Sequence, residues 1–223
     1  ISVNFIGNEA FYGCISLEEV SIPSSVKIVG NNAFGNCTSL MKLIIDLNET
    51  KIQKDTFNNC PRLEHLIFDS TMNYIKQYDF SIFENITKVT IPSNVKIIRS
   101  SSFANLKNIN EIIIPPSLEL IENESFSGCS SLTNISIPDS VDSIKNYTFY
   151  KCSMLQQIII PNNVQSIGNY AFALCENLTE LTIPNSVNTI GDSAFWGCKS
   201  LTTLTIPQSV NSICSFAFYE CIK

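Results

Sequence analysis

The chain has 223 residues, of which 44% are hydrophobic and only 15% charged, and its net charge is −6. The 14 Lys and Arg stand singly, so no basic patch is available to neutralise phosphates, and nucleic acid is not an expected partner. Apolar runs such as 112–114 and 158–160 are far too short for a membrane-spanning helix.

One register runs through the whole chain. Phe11, Phe34, Phe57, Phe80, Phe103, Phe126, Phe149, Phe172, Phe195 and Phe218 follow one another at intervals of 23 residues without insertion or deletion. A fixed period of this length marks a solenoid, a stack of similar units in which each contacts only its neighbours. Residues 1–223 are therefore expected to form one solenoid of about ten rungs. The chain opens inside a repeat and neither end carries an atypical polar capping unit, so it reads as a piece of something longer.

Each unit is taken in order from its Phe. A small residue precedes it in many units: Ala10, Ala33, Ala171, Ala194, Ala217. Three residues on stands Cys: Cys14, Cys37, Cys60, Cys129, Cys152, Cys175, Cys198 and Cys221, interrupted only by Phe83 and Leu106. A-F-x-x-C-x-x-L places Phe, Cys and Leu three apart, which predicts a short helical or 3₁₀ turn with those side chains inward. Positions nine and eleven after Phe are aliphatic in nearly every unit, for example Val20 with Ile22 and Leu181 with Ile183. Their alternation with polar neighbours predicts a short strand with one buried face. Stacked copies of that strand make a parallel sheet, and L-x-x-L-x-I is the spacing of a leucine-rich repeat. Pro follows in seven units, from Pro23 to Pro207, and ends the strand because it lacks the ladder N–H. Val26 with Val29, and Val187 with Ile190, then re-enter the core on an opposite wall. Gly7, Gly30, Gly168 and Gly191 suit a tight corner before the next unit. The expected fold class is thus an α/β-type solenoid, with a parallel sheet on one face and short strands and 3₁₀ or helical turns on the other.

The middle of the chain departs from the pattern. Asp46 and Asp69 replace Pro, and Gln53, Lys76, Arg99, Glu122 and Lys145 replace Gly. Turns within 46–106 are expected to be less regular.

Chemistry is hard to find. The Cys column has three readings: buried reduced thiols acting as small hydrophobes, occasional disulfides between neighbouring rungs, or metal ligands. The last lacks a C-x-x-C pair and has only His65 to help. Cys214 occupies the Gly corner and is the thiol expected to be most exposed. No third group marks His65 as a catalytic base, and no glycine-rich phosphate loop is present. No catalytic, cofactor or metal site is expected. Asn36, Asn48, Asn85, Asn123, Asn134, Asn146 and Asn177 begin N-x-S/T sequons, glycan acceptors if the protein is secreted and chance products of an Asn/Ser/Thr-rich repeat if it is not.

The outward strand positions remain. Lys42, His65, Lys88, Glu111, Asn134, Gln157 and Glu180 form one column, and Ile44, Ile67, Thr90, Ile113, Ser136, Ile159 and Thr182 form the other. These fourteen residues are the candidate partner-binding face, since solenoids use such extended surfaces for binding and exposed apolar patches mark interaction sites. The competing reading is a plain strand surface, where β-branched residues sit by propensity.

The phrases SIGNYAFALCENLTELTIPNSV (166–187) and TIGDSAFWGCKSLTTLTIPQSV (189–210) resemble the BspA-like leucine-rich repeats of bacterial and protist surface proteins, and the resemblance covers the entire chain. It implies a curved solenoid and, for some members, adhesion to host matrix proteins or to other cells. The expectation that follows is a non-enzymatic recognition or adhesion module, at the cell surface or secreted, that binds a protein partner through the sheet face. A cytoplasmic interaction scaffold and a structural spacer projecting another domain are the alternatives, the former favoured by reduced thiols.

Overall fold

The computed structural model describes residues 2–78, 80–83 and 85–221. The chain forms two compact units, one of Ile1–Met72 with Tyr78–Pro92, the other of Asn73–Gln77 with Ser93–Lys223. Each is a parallel-sheet β-solenoid.

In the first unit the strands Glu19–Ile22, Lys42–Ile45, His65–Phe68 and Lys88–Thr90 pair in parallel, each residue facing the one 23 positions away. A second wall is made by the two-residue strands Phe5–Ile6, Ile28–Val29 and Lys51–Ile52. In the second unit the front strands are Glu111–Ile113, Asn134–Ser136, Gln157–Ile159, Glu180–Thr182 and Thr203–Thr205. Its second wall runs from Tyr74–Ile75 through Ile97–Ile98 to Leu120–Ile121, and from Ser143–Ile144 to Ser212–Ile213. The aliphatic columns are buried between the walls: Leu43, Ile45 and Val29 in the first unit, Ile135, Val187 and Ile190 in the second. Pro ends the front strands as expected and opens a turn, its carbonyl accepting from the N–H three residues on, as in Val141 to Pro138 at 3.0 Å and Val187 to Pro184 at 3.1 Å.

The expectation of an α/β class with helical turns is corrected. Among the described residues the only helix is one 3₁₀ turn, Phe80–Ile82. The reason is a pair of left-handed residues in almost every unit, two before and two after the Phe. Around Phe126 they are Glu124 (φ 60°) and Gly128 (φ 76°); around Phe172, Tyr170 (φ 55°) and Leu174 (φ 60°). Only three residues lie between them, too few for a helix to propagate. Instead the segment is a run of interlocked turns, with Ala171, Ala173 and Cys175 donating to the carbonyls of Gly168, Tyr170 and Phe172.

This geometry turns every second N–H along the stack. Glu124, Phe126 and Gly128 donate to the carbonyls of Asn146, Thr148 and Tyr150 at 2.9, 3.0 and 2.7 Å, and the next units repeat the triplet. Inside this third ladder the Phe rings stack. From Phe103 to Phe218 their centroids are 5.6, 5.4, 5.3, 5.2 and 5.2 Å apart, with interplanar angles of 13° or less, within the favourable range for aromatic pairs. Phe11, Phe34 and Phe57 stack likewise in the first unit.

The Gly corner also has a different cause from the one expected. Gly30, Gly168 and Gly191 do not have positive φ; a Cβ on Gly191 would lie 2.5 Å from Asn169 Oδ1 and 2.7 Å from its backbone N. The preceding unit's Asn fills that space, its Oδ1 accepting from the N–H of Asp192 at 2.9 Å.

Two outcomes test this packing. Phe126→Ala, at a fully buried ring, should lower unfolding free energy by about 3–5 kcal/mol in urea titration. Gly191→Ala should cost about 1–3 kcal/mol by overpacking, although its φ alone would tolerate alanine; an unchanged denaturation midpoint would refute the steric cause.

Candidate functional site

The front strands place all fourteen outward residues on the solvent side of their own unit's sheet, because side chains alternate along a strand. In the first unit Lys42, His65 and Lys88 stand in register beside Glu19. Lys42 Nζ lies 3.4 Å from Glu19 Oε2, an exposed ion pair worth little. His65 Nε2 and Thr90 Oγ1 share a hydrogen bond of 2.8 Å. Ile44 and Ile67 face each other across the ladder and are only half-exposed, as are His65, Lys88 and Thr90. This surface is closely covered by its own side chains.

The second unit differs. Asn134, Ser136, Gln157, Glu180 and Thr182 are exposed and Glu111 is half-buried. Ile113 is 40% exposed, and Ile159, the last residue of a strand that lies between two others in its sheet, is 83% exposed. Ser136 is the direct partner of Ile159 in the ladder, and Thr182 stands at the same strand position in the following rung. Neither short side chain can cover it. The surface offers a branched aliphatic group surrounded by hydroxyls and amides, with charge only at its edges. Such a surface can desolvate against an apolar group and hydrogen-bond around it; it carries no proton-transfer machinery.

The thiol column has partners that its hydrophobic reading missed. Each Cys Sγ from the second rung on, where the column holds Cys, donates to the Phe carbonyl of the rung before: Cys60 to Phe34 at 3.0 Å, Cys129 to Phe103 at 3.1 Å, Cys152 to Phe126 at 3.2 Å and Cys175 to Phe149 at 3.2 Å. All nine cysteines are unbridged, and among the described residues no cluster of three or more His, Cys, Asp or Glu could hold a metal. Burial pushes the thiol of Cys60 up to about 11 and that of Cys129 up to about 12, and raises Cys152 and Cys175 as well. Cys214 is half-buried beside Ser212, whereas Cys14 is exposed. The expectation for Cys214 is therefore corrected: the most open thiol is the one with no preceding Phe carbonyl to cover it.

Sequons are dispersed. Asn85, Asn123, Asn134, Asn146 and Asn177 are exposed, but Asn36 and Asn48 are half-buried. Asn36 Nδ2 is held by Tyr12 Oη at 2.5 Å and Asn177 Nδ2 by the Ser153 carbonyl at 2.8 Å.

An aromatic edge was not anticipated. On the turn side of the second unit Tyr147 and Tyr170 stack at 4.9 Å, with Tyr150 and Trp196 set edge-on to Tyr170 at 6.5 and 6.4 Å. Lys151 Nζ sits 5.0 Å from the centre of the Tyr150 ring. The signal was available in the columns two before and one after the Phe anchor, where these residues recur.

A family model described as a BspA type leucine rich repeat region, in six copies, matches residues 4–132 and 96–223. Among solved structures, a leucine-rich repeat protein from Bacteroides ovatus is 28% identical with a TM-score of 0.65, the match covering 98% of this chain and 57% of that one. The chain thus spans little more than half of that relative. A leucine-rich repeat protein from Eubacterium ventriosum is 18% identical with a TM-score of 0.57, covering 99% of this chain and 81% of the other, and bears on the fold alone. No curated protein is significantly similar to the chain.

The buried thiols yield a pH dependence. In the unfolded chain they ionise near 9.0, whereas in the folded chain Cys129 holds its proton to about 12. The unfolded state therefore binds fewer protons above about pH 9, and stability falls as pH rises from there. The melting temperature should be flat from pH 7 to about 8.5 and then decline, less steeply in Cys129→Ala than in the parent chain. Native labelling at pH 8 should modify Cys14 quickly and leave Cys129, Cys152 and Cys175 untouched until denaturant is added.

Proposed function

Because the chain belongs to the BspA-type leucine-rich repeat family, we propose that it is a non-enzymatic recognition module that binds a protein partner through the outward face of its parallel sheet, at the cell surface or in secreted form. The observation that carries the reading is Ile159, a large aliphatic side chain left 83% exposed on an interior strand. Burying such a group against a partner gains about 1.5–3 kcal/mol. Ile113 lies two rungs away on the same side of the second unit, and Asn134, Ser136, Gln157 and Thr182 supply uncharged hydrogen-bonding groups around the pair. An apolar centre with a polar rim is the usual anatomy of a protein interface. The face of the first unit, where Ile44, His65, Ile67, Lys88 and Thr90 are half-buried beside an exposed Lys42, is the weaker candidate when taken by itself.

The alternative of a cytoplasmic scaffold keeps one observation in its favour. Nine unbridged cysteines are more at home in a reducing compartment than in an oxidising one.

The proposal is tested by screening the chain against immobilised matrix glycoproteins and purified surface proteins by surface plasmon resonance. Ile113→Glu combined with Ile159→Glu should weaken any captured partner by at least about tenfold, the loss of one buried aliphatic anchor, with circular dichroism and melting temperature unchanged. Binding of equal strength in the double variant would remove the sheet face from consideration.

A further inference from the structure

The turn side of the second unit carries aromatic side chains that the fold does not demand. The position two before the Phe anchor holds Tyr147 and Tyr170, and the position one after it holds Tyr150, Ala173 and Trp196. In other rungs the same positions are filled by Glu124, Ser127, Asn32 and Gly35, and those rungs stack as well. All four rings are half-buried, whereas Ala173 is wholly buried, so the rings close over its methyl group and form a continuous strip. Tyr170 is its centre. It stacks on Tyr147 at 4.9 Å, and Tyr150 and Trp196 stand at 89° and 82° to it, 6.5 and 6.4 Å away.

The chemistry of the strip narrows what can bind it. Its backbone is already paired: Tyr147, Phe149 and Lys151 donate to Asn169, Ala171 and Ala173, and Tyr170, Phe172 and Leu174 donate to Asp192, Ala194 and Trp196. A partner β-strand finds no open ladder edge here. Among the described residues no hydrogen bond engages the hydroxyls of Tyr147, Tyr150 and Tyr170, which leaves them as donors to a ligand. Trp196 buries its indole N–H without an acceptor, so its side chain exposes hydrocarbon. The fitting ligand packs rigid apolar groups on rings and offers carbonyls that need no ladder. A polyproline II segment does both, since it makes no internal hydrogen bonds and is ordered before it binds. Its residues three apart recur on one face at about 9 Å. The rungs that carry Tyr150 and Trp196 are about 10 Å apart, their Phe anchors following at 5.3 and 5.2 Å. Charge selects among such segments. Lys151 Nζ lies 5.0 Å from the centre of the Tyr150 ring, and no carboxylate pairs with it among the described residues. Lys199, by contrast, is held by Glu176 at 2.8 Å. An acidic residue beside the prolines meets the free ammonium.

We propose that this strip binds a proline-rich segment of a partner protein in the polyproline II conformation, with prolines three apart on Tyr150 and Trp196, carbonyls on the tyrosine hydroxyls and an acidic residue at Lys151. The strip lies on the turn side, apart from the sheet face, and stands or falls independently of it.

Trp196 is the only tryptophan in the chain, so its fluorescence reports on the strip directly. The probe is a blocked synthetic peptide of one Asp followed by three Pro-Pro-Ala repeats. A saturable change in emission is expected, and the analogue with Gly in place of every Pro should give none. Tyr150→Ser should weaken the peptide about tenfold, the loss of one aromatic contact, with circular dichroism unchanged. Lys151→Glu is tolerated by the turn, because Glu220 takes the same φ of 59° at the equivalent position. It should weaken the Asp peptide several-fold and favour the version that begins with Lys. The proposal is overturned if the Asp peptide leaves the emission unchanged, if the Gly analogue binds equally well, or if Lys151→Glu does not alter the preference between the two peptides. It is overturned in favour of a glycan-binding surface if cellohexaose shifts the emission at lower concentration than the peptide.

Discussion

The structure depends on one local constraint: in most units two residues, placed on either side of the Phe anchor, take the left-handed conformation. An L-residue held there costs roughly 1–2 kcal/mol, and only Gly13, Gly128 and Gly197 escape most of that penalty. Tyr147, Tyr170 and Leu174 do not, at φ 57°, 55° and 60°. The conformation aligns three N–H groups along the stack, each finding a carbonyl in the next unit at a net gain of about 1 kcal/mol per bond. One unit alone bears the strain without the bonds. The turn is thus stable only when stacked, which is the physical content of saying that a repeat cannot fold by itself.

Phe and Cys follow from the same ladder. The Phe carbonyl accepts the N–H of its own unit's Cys and the thiol of the next one, as at Phe126, which receives Cys129 N–H at 3.2 Å and Cys152 Sγ at 3.2 Å. Valine or alanine could fill the volume but could not supply the second donor. Where the anchor's preceding residue is hydroxylated, the extra polar group is absorbed in the same way. Thr56 Oγ1 donates to Gly30 and Gln53 carbonyls and Ser102 Oγ to Ile75 and Arg99 carbonyls. The core is therefore apolar in composition yet carries a row of satisfied weak hydrogen bonds.

The 23-residue period, the front strands, the second wall and the Phe core were legible because each rests on side-chain hydrophobicity at fixed spacing. The turn was not. A-F-x-x-C has the spacing of a helical turn, and the residues that prevent one are chemically mixed, Glu and Gly in one unit, Tyr and Leu in another; backbone conformation here is imposed by the neighbouring rung and leaves little trace in residue type. The Gly corner misled for a similar reason, since its requirement is the Asn side chain of the unit before. Irregularity in the middle was legible from the lost Pro and Cys positions. Its form was not: Asp46 and Asp69 rebuild the turn through Oδ1, accepting from Asn48 and Thr71 N–H at 2.9 and 2.8 Å, and Phe80–Ile82 turns as a 3₁₀ helix.

On the candidate face, alternation identified which side chains point outward and could not rank their exposure. Ile44, Ile67 and Ile159 occupy equivalent positions, yet the first two shield each other and the third stands beside Ser136 and Thr182. Exposure in a parallel stack is set by the residues 23 before and after, so the informative comparison is down a column rather than along the chain. The same logic separates the surfaces available for function. Side chains at outward strand positions take no part in the three backbone ladders and can vary at little cost to the fold. Turn positions cannot, because their N–H groups must be met by the carbonyls of the next rung.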